Sequence, residues 1–156
     1  MLELKSNTKL VLLGKLRVRT KDEVVDGQTT RVTGYDIIVV GWPGTSRPNQ
    51  AYNVTITGSG GIIGEVDDRP EITKWTTGIG IFFAPRAKNI LIENISLSKC
   101  IGTCLSSSYH AENVTIRNVS FSDSLWYGIS LTCSKKITVE HCTFDSFRNG
   151  GLDLEP

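Results

Sequence analysis

The sequence predicts an all-β protein that folds as a parallel β-helix, a solenoid of short strands. Three observations support this prediction: a repeat of 23–24 residues, an apolar/polar alternation of period two within each repeat, and Asn or Gly where the units bend. A repeat of this length cannot bury its apolar face alone, so successive copies must stack on one another. Stacking produces a continuous apolar interior with one column of side chains for each inward strand position.

The repeat is clearest in the second half of the chain. Three segments align without gaps at offsets of 24 and 23 residues: KNILIENISLSKC at 88–100, ENVTIRNVSFSDS at 112–124 and KKITVEHCTFDSF at 135–147. A second series of short strands consists of GIFF at 80–83, CLSS at 104–107, GISL at 128–131 and GLDL at 151–154. Its offsets are 24, 24 and 23, which places the one-residue deletion in the turn between Leu131 and Ile137.

The alternation within each unit predicts which side chains face inward, because neighbouring residues of a strand point to opposite faces. The predicted inward columns are Ile90, Val114 and Ile137; Ile92, Ile116 and Val139; Ile95, Val119 and Cys142; and Leu97, Phe121 and Phe144. Bends are expected at Asn94, Asn118 and His141. The outward column Glu93, Arg117 and Glu140 alternates in sign, which suits side chains on rungs roughly 4.8 Å apart.

The first half of the chain fits the repeat more loosely. SNTKLVLLGKLRV at 6–18, YDIIVVG at 35–41 and NVTITGSGGIIG at 53–64 are predicted strands of the first rungs. Loops are predicted at 19–34, 42–50 and 65–77. We expect a single domain spanning 1–156, with about five to six rungs. Neither end shows a capping element, so we expect a piece of a longer β-helix; a capping partner chain is the alternative.

Composition narrows the range of partners. The chain has 156 residues and a net charge of +1, and its 17 basic and 16 acidic residues form no long run of either sign. This pattern disfavours binding to nucleic acid or to an anionic membrane. The apolar runs IIVV at 37–40 and GIGIFF at 78–83 are too short to span a bilayer. No signal peptide is visible at the N-terminus.

Four cysteines, at 100, 104, 133 and 142, do not require a disulfide framework in a chain of this length. A zinc site at Cys100 and Cys104 would need two further ligands, and His110 and His141 are the only histidines. We therefore expect buried or half-buried thiols, with no metal and no cofactor. The four Asn-x-Ser/Thr sequons are predicted to serve turns rather than glycosylation: Asn53, Asn94, Asn113 and Asn118.

Several motifs resemble a known superfamily. NVTITGSGGIIG, the repeated NVTIRNVSF-type units and the GISL to GLDLEP ending are similar to right-handed β-helix proteins of the pectin-lyase-like superfamily. This superfamily includes polysaccharide lyases, polygalacturonase-like hydrolases and phage tailspikes. The resemblance covers nearly the whole chain and implies a right-handed solenoid, a polysaccharide partner and an extracellular or virion-associated location. It implies a homo-oligomer, a trimer, if the protein is tailspike-like.

The sequence also departs from that superfamily. The polygalacturonase-like hydrolases carry Asn-Thr-Asp, Asp-Asp, Gly-His-Gly and Arg-x-Lys motifs on successive rungs, and this set does not appear here. Many related proteins have Gly-Asp-Gly where this chain has Gly102, Thr103 and Cys104. Polygalacturonase chemistry is therefore disfavoured, and lyase chemistry is left open.

Candidate site residues follow from the register of the last strand. Because Leu152 and Leu154 should point inward, Asp153 and Glu155 should share the outward face, with Cα atoms roughly 7 Å apart. We predict these two acids as the catalytic pair of a glycan-cleaving enzyme. The predicted substrate-binding residues are Phe82, Ser106, Trp126, Tyr127, Ser130 and Arg148. The leading function is polysaccharide binding or cleavage; the alternative is a non-catalytic structural or adhesive β-helix, for example in a virion appendage, whose acids only solvate the face.

Overall fold

A computed structural model of the chain describes residues 2–17, 21–25, 28–32, 37–41, 50–64, 80–107 and 110–155. All the regular structure in these ranges is β-strand. Within these ranges, no helix is long and apolar enough to cross a membrane.

Most of the strands form three parallel sheets, A, B and C. Sheet A contains β1 (Leu2–Leu4), β6 (Ile38–Val40), β9 (Ile81–Phe83), β12 (Leu105–Ser107), β15 (Tyr127–Thr132) and β18 (Gly150–Glu155). Sheet B contains β2 (Lys9–Leu12), β7 (Tyr52–Gly58), β10 (Lys88–Glu93), β13 (Glu112–Arg117) and β16 (Lys135–Glu140). Sheet C contains β3 (Lys15–Arg17), β8 (Gly61–Ile63), β11 (Ser96–Ser98), β14 (Ser120–Ser124) and β17 (Thr143–Phe147).

The chain visits sheets A, B and C in turn, so each rung contributes one strand to each sheet. The described residues form five complete rungs and the first strand of a sixth. Each strand pairs in parallel with the equivalent strands of the rungs before and after it. The predicted parallel β-helix of about five to six rungs is confirmed.

The predicted inward columns are confirmed residue by residue. Ile92 pairs with Ile116, and Ile116 pairs with Val139. Leu97, Phe121 and Phe144 form the equivalent column of sheet C. Ile92, Ile116 and Leu97 are fully buried. The rings of Phe121 and Phe144 stack with their centroids 5.1 Å apart. The outward column is also confirmed, since Glu93 pairs with Arg117 across a 2.7 Å ion pair.

At the corners of the solenoid, residues other than glycine adopt the left-handed backbone conformation. Fourteen such residues have positive φ among those described, and six of them are asparagines. Asparagine tolerates this conformation better than most residues. In one corner the side-chain amides form a ladder, since Asn53 donates to Asn7, Asn89 to Asn53 and Asn113 to Asn89, at 3.0, 3.0 and 2.8 Å. Of the four sequon asparagines, Asn94 and Asn118 lie at bends between strands, as predicted, whereas Asn53 and Asn113 are the second residues of β7 and β13.

A second ladder occupies the predicted bend between sheets B and C. The amide of Asn118 donates to Asn94 at 3.2 Å, and both residues are left-handed. His141 takes the same left-handed conformation on the following rung, with φ of 52°. The predicted structural position of His141 is therefore confirmed.

The predicted loop at 19–34 contains regular structure. An antiparallel hairpin is formed by β4 (Lys21–Val25) and β5 (Gln28–Val32), which pair across five residue positions. The sequence between these strands is Asp26-Gly27, a dipeptide typical of two-residue hairpin turns. The loops predicted at 42–50 and 65–77 lie outside the described residues, apart from Gln50.

The cysteines are free thiols. Cys100 and Cys104 are buried, whereas Cys133 and Cys142 are half-buried, as the sequence predicts. A hydrogen bond with Cys104 and burial raise the pKa of the Cys100 thiol well above its ordinary value. The described residues contain no cluster of three or more His, Cys, Asp or Glu side chains placed to hold a metal ion.

Candidate functional site

The outward face of sheet A brings together most of the predicted site residues. Phe82 pairs with Ser106, Ser106 with Ser130, and Ser130 with Asp153, so these four side chains form one outward column. All four residues are half-buried. Val39 precedes Phe82 in this column and is fully buried. The open part of the face therefore begins at Phe82 and extends over three rung spacings, or roughly 14 Å.

Glycines set the position of the strand that carries the acids. A Cβ atom at Gly128 would lie 2.7 Å from the carbonyl oxygen of Gly151. A Cβ atom at Gly151 would lie 3.0 Å from Cβ of Phe144. Glycine at both positions allows β15 and β18 to approach Phe144 at the corner between sheets C and A. In β18, Asp153 pairs with Ser130 and alternates with Leu152 and Leu154.

Both acids accept hydrogen bonds from hydroxyl groups one rung earlier. Ser130 Oγ donates to Asp153 Oδ2 at 3.2 Å, and Thr132 Oγ1 donates to Glu155 Oε2 at 3.1 Å. Asp153 is half-buried, whereas Glu155 is exposed. Each hydroxyl orients one carboxylate and leaves its other oxygen available to a ligand.

This arrangement provides two oriented carboxylates next to hydroxyl groups on one open face, with the ring of Phe82 three rungs away. Their Cα atoms are two strand residues apart, roughly 7 Å. Paired carboxylates flanking a glycosidic bond are the groups that most glycoside hydrolases use. Hydroxyl groups and aromatic faces can bind sugar hydroxyls and pack against sugar rings.

Comparison with known protein families gives a match to the family described as right handed beta helix region, over residues 44–155. This match covers more than two thirds of the chain, including every strand that forms the outward column from Phe82 to Asp153. The chain belongs to the right-handed β-helix family. The resemblance stated from the sequence is thereby confirmed.

A search of solved structures finds similarity to a protein from Parabacteroides merdae ATCC 43184 that is provisionally named a glycosyl hydrolase. The two chains share 14% identity with a TM-score of 0.49, and the similarity covers 91% of this chain and 76% of the other. At this level the likeness carries no functional argument. A search of curated proteins gives no significant match.

Three predicted substrate-binding residues lie at, or just before, the first residues of strands β15 and β18 of sheet A. Tyr127 begins β15 and pairs with Gly150, while Trp126 precedes it in the turn from sheet C. Both residues are half-buried. Arg148 is exposed in the equivalent turn one rung later, where its backbone N–H donates to Ser124. Tyr127 and Ser130 are three strand residues apart, so Tyr127 lies roughly 10 Å along the strand from the column that contains Asp153.

The β-helix also carries a cleft that the sequence reasoning missed. It lies at the corner where the chain passes from sheet A to sheet B and has a volume of about 430 Å³. Its lining residues are Gln50, Arg86, Lys88, His110, Glu112 and Lys135. The repeat contains a signal for it, since Lys88, Glu112 and Lys135 are paired neighbours at offsets of 24 and 23 residues.

Proposed function

We propose that this β-helix binds a polysaccharide along the outward face of sheet A and that Asp153 and Glu155 cleave a glycosidic bond of it. The observation that carries the proposal is the pair of outward carboxylates, each held by a hydroxyl of the preceding rung. The equivalent positions one rung earlier are Ser130 and Thr132, so the repeat does not require acids there.

The core does not require the acids either. In β18 the inward positions belong to Leu152 and Leu154, which pair with Ile129 and Leu131. Asp153 and Glu155 alternate with these leucines and face outward. Side chains that support neither the core nor the repeat are available for catalysis. Two carboxylates fit glycoside hydrolysis more directly than β-elimination, because β-elimination needs a base beside a uronate whose charge is neutralised.

A second candidate is a non-catalytic adhesive β-helix, and one observation favours it. The hydrogen bonds from Ser130 to Asp153 and from Thr132 to Glu155 connect successive rungs, as the asparagine ladder does. In this reading the acids belong to side-chain ladders, and the face recognises a surface without cleaving it. Both candidates share a polysaccharide partner and an extracellular or virion-associated location.

A glycan screen separates the two candidates. The purified chain is incubated with a panel of neutral and acidic polysaccharides, and new reducing ends and unsaturated uronates are measured together with binding. New reducing ends without unsaturation support hydrolysis, whereas unsaturated uronates would show elimination. Binding without either product would support the adhesive candidate. Neither binding nor cleavage across the panel would overturn the proposal.

A further inference from the structure

Two cysteines occupy the corner where the chain passes from sheet C to sheet A. Cys100 follows β11 by two residues, and Cys104 immediately precedes β12. Both side chains are buried. The thiol of Cys100 donates to the carbonyl oxygen of Ser98, and the thiol of Cys104 donates to the carbonyl oxygen of Leu97, each at 3.8 Å. Both thiols therefore lie over the end of the same strand, β11.

The two thiols also contact each other. A side-chain hydrogen bond joins Cys100 to Cys104, and together with burial it raises the pKa of Cys100 well above its ordinary value. Gly80, one repeat before Cys104, packs against both residues. A Cβ atom at Gly80 would lie 3.1 Å from Cys100 Sγ and 2.5 Å from the carbonyl oxygen of Cys104. The corner therefore holds two thiols in contact, packed against the backbone of residue 80.

The repeat does not require thiols at these positions. From Ile81 onward, the residue before each first inward position of sheet A is a glycine on three rungs, Gly80, Gly128 and Gly151, and a cysteine on one, Cys104. The residues four positions before Cys104, Gly128 and Gly151 are Cys100, Ser124 and Phe147. Neither of the two later pairs can form a cross-link, so stacking of the rungs does not explain the pair of cysteines.

We propose that Cys100 and Cys104 form a disulfide bond when the protein folds in an oxidising environment, and that this bond stabilises the corner leading into β12. The oxidant is a small disulfide such as glutathione disulfide. The thiolate of one cysteine attacks it, forms a mixed disulfide and releases one glutathione. The thiolate of the other cysteine then attacks the protein sulfur of the mixed disulfide and releases the second glutathione. The two protein thiols lose two electrons and two protons, which the glutathione disulfide gains.

The geometry favours the second, intramolecular step. A thiol held in contact with its partner has a high effective concentration, so it displaces the bound glutathione before another molecule of oxidant reacts. Only Ile101, Gly102 and Thr103 separate the two cysteines, so the bond closes a short loop and its stabilising effect is modest for a disulfide. Burial makes both thiols slow to react in the folded protein, so we expect the bond to form during folding.

A disulfide fits this pair better than a metal ion does. A structural zinc site needs four ligands, and the described residues contain no group of three or more His, Cys, Asp or Glu side chains placed to hold an ion. The half-buried Cys142 is engaged elsewhere, since its thiol donates to the carbonyl oxygen of Glu140 at 3.4 Å. Neither Cys100 nor Cys104 belongs to the outward face of sheet A, so the inference does not rest on the proposed function.

The test is peptide mapping of the full chain after refolding from urea in a glutathione redox buffer. Free thiols are blocked with N-ethylmaleimide before cleavage by trypsin. Cys100 and Cys104 then lie in one peptide, 100–117, whereas Cys133 and Cys142 lie in the peptides 118–135 and 137–148. The parent should give peptide 100–117 unlabelled and lighter than its reduced form by two hydrogen atoms. Cys104→Ser should lack the internal bond, and the matched control Cys133→Ser should retain it.

The bond should also change the melting temperature. The oxidised parent should melt about 4–8 °C above the same protein after reduction, because a constrained unfolded chain has less entropy to gain. Cys133→Ser should show the same shift, whereas Cys104→Ser should melt at one temperature in both buffers. Two free thiols in peptide 100–117, a bond from either cysteine to Cys133 or Cys142, or an oxidised parent that melts no higher than the reduced one would overturn the inference.

Mapping of the parent needs no substitution, so it decides the inference even if Cys104→Ser fails to fold. Loss of glycan cleavage or binding in the separate screen would leave the mapping result unchanged, so the two proposals fail independently.

Discussion

The inner strands of sheets A and C differ in burial from the last strand of each sheet, although their columns contain the same kinds of side chain. Phe121 is 1% exposed, whereas Phe144, directly below it, is 37% exposed. Ile129 and Leu131 are buried, whereas their partners Leu152 and Leu154 are 46% and 58% exposed. In a solenoid, burial is supplied by the rungs on both sides and not by the side chain's own rung.

The comparison predicts that the same substitution at equivalent positions of two neighbouring rungs lowers the free energy of unfolding by different amounts. Phe121→Ala should lower the free energy of unfolding by about 3–5 kcal/mol, because it removes a fully buried ring and its stacking on Phe144. Phe144→Ala should cost about 1–2 kcal/mol, because part of that ring is already in water. Urea denaturation of both variants measures the difference. Equal decreases in the free energy of unfolding would contradict the prediction that a rung on each side determines how much this column stabilises the fold.

The asparagine ladder allows the comparison to be repeated at the surface. Asn89 has ladder partners on both sides, Asn53 and Asn113, whereas Asn113 is followed by Lys136. Asn89→Ala should cost about 1–3 kcal/mol, through two amide hydrogen bonds and the left-handed backbone. Asn113→Ala should cost less. Asn89→Gly is the control, since glycine keeps the left-handed backbone and isolates the hydrogen-bond contribution.

Extending the ladder should stabilise the fifth rung. Lys136 is left-handed, with φ of 54°, at the position that asparagine occupies on earlier rungs. Lys136→Asn would place an amide within reach of Asn113 and should raise the free energy of unfolding by about 0.5–1 kcal/mol. The substitution also removes the ion pair between Lys136 and Glu112, which is exposed and contributes little to stability. A lower midpoint of urea unfolding in this variant would contradict the ladder account.

The smallest expected effect is the acid dependence of the Glu112 ion pairs. Lys88 and Lys136 lower the folded pKa of Glu112 below its ordinary value of 4.5. Folding therefore favours the ionised form, and this stability is present above that value and is lost as the pH falls through the folded pKa. Glu112→Gln should be slightly less stable than the parent near neutral pH and equal to it in strong acid.

Lys88 lies on β10, an inner strand of sheet B, and Lys136 lies on β16, its last strand, so the pair allows the two regions to be compared. Lys88→Gln should weaken the acid dependence more than Lys136→Gln, because Lys88 lies closer to Glu112. Unfolding midpoints measured across the acid range would decide this. A stability difference between Glu112→Gln and the parent that grows in acid would contradict the assigned direction.

The sequence was sufficient to predict the fold because period and repeat length leave few alternatives. The columns through Ile116 and Phe121 followed from alternation alone, and the outward direction of Asp153 followed from aligning GLDL with GISL. The hairpin Lys21–Val25 and Gln28–Val32 was missed because its strands do not follow the repeat, although the Asp-Gly between them was a usable signal.

The candidate site could be predicted only in part. The outward column was visible in the alternation, but the hydroxyl partners of Asp153 and Glu155 depended on side-chain conformations. The cleft was missed because Arg86 and His110 meet Lys88 and Lys135 only through the left-handed corner. Left-handed arginine has no sequence signature comparable to that of asparagine. The catalytic role of the acidic pair stays a prediction.

Amide substitution of the acidic pair tests the proposed cleavage most directly, on whichever glycan the screen identifies. Asp153→Asn and Glu155→Gln should each lower kcat/KM by several orders of magnitude and leave the unfolding midpoint near that of the parent. The matched controls are Asp123→Asn and Glu140→Gln, which neutralise exposed acids on other faces and should cleave like the parent. Cleavage by both site variants at the parent's rate would contradict the account, and loss of folding in either would contradict the outward register of β18.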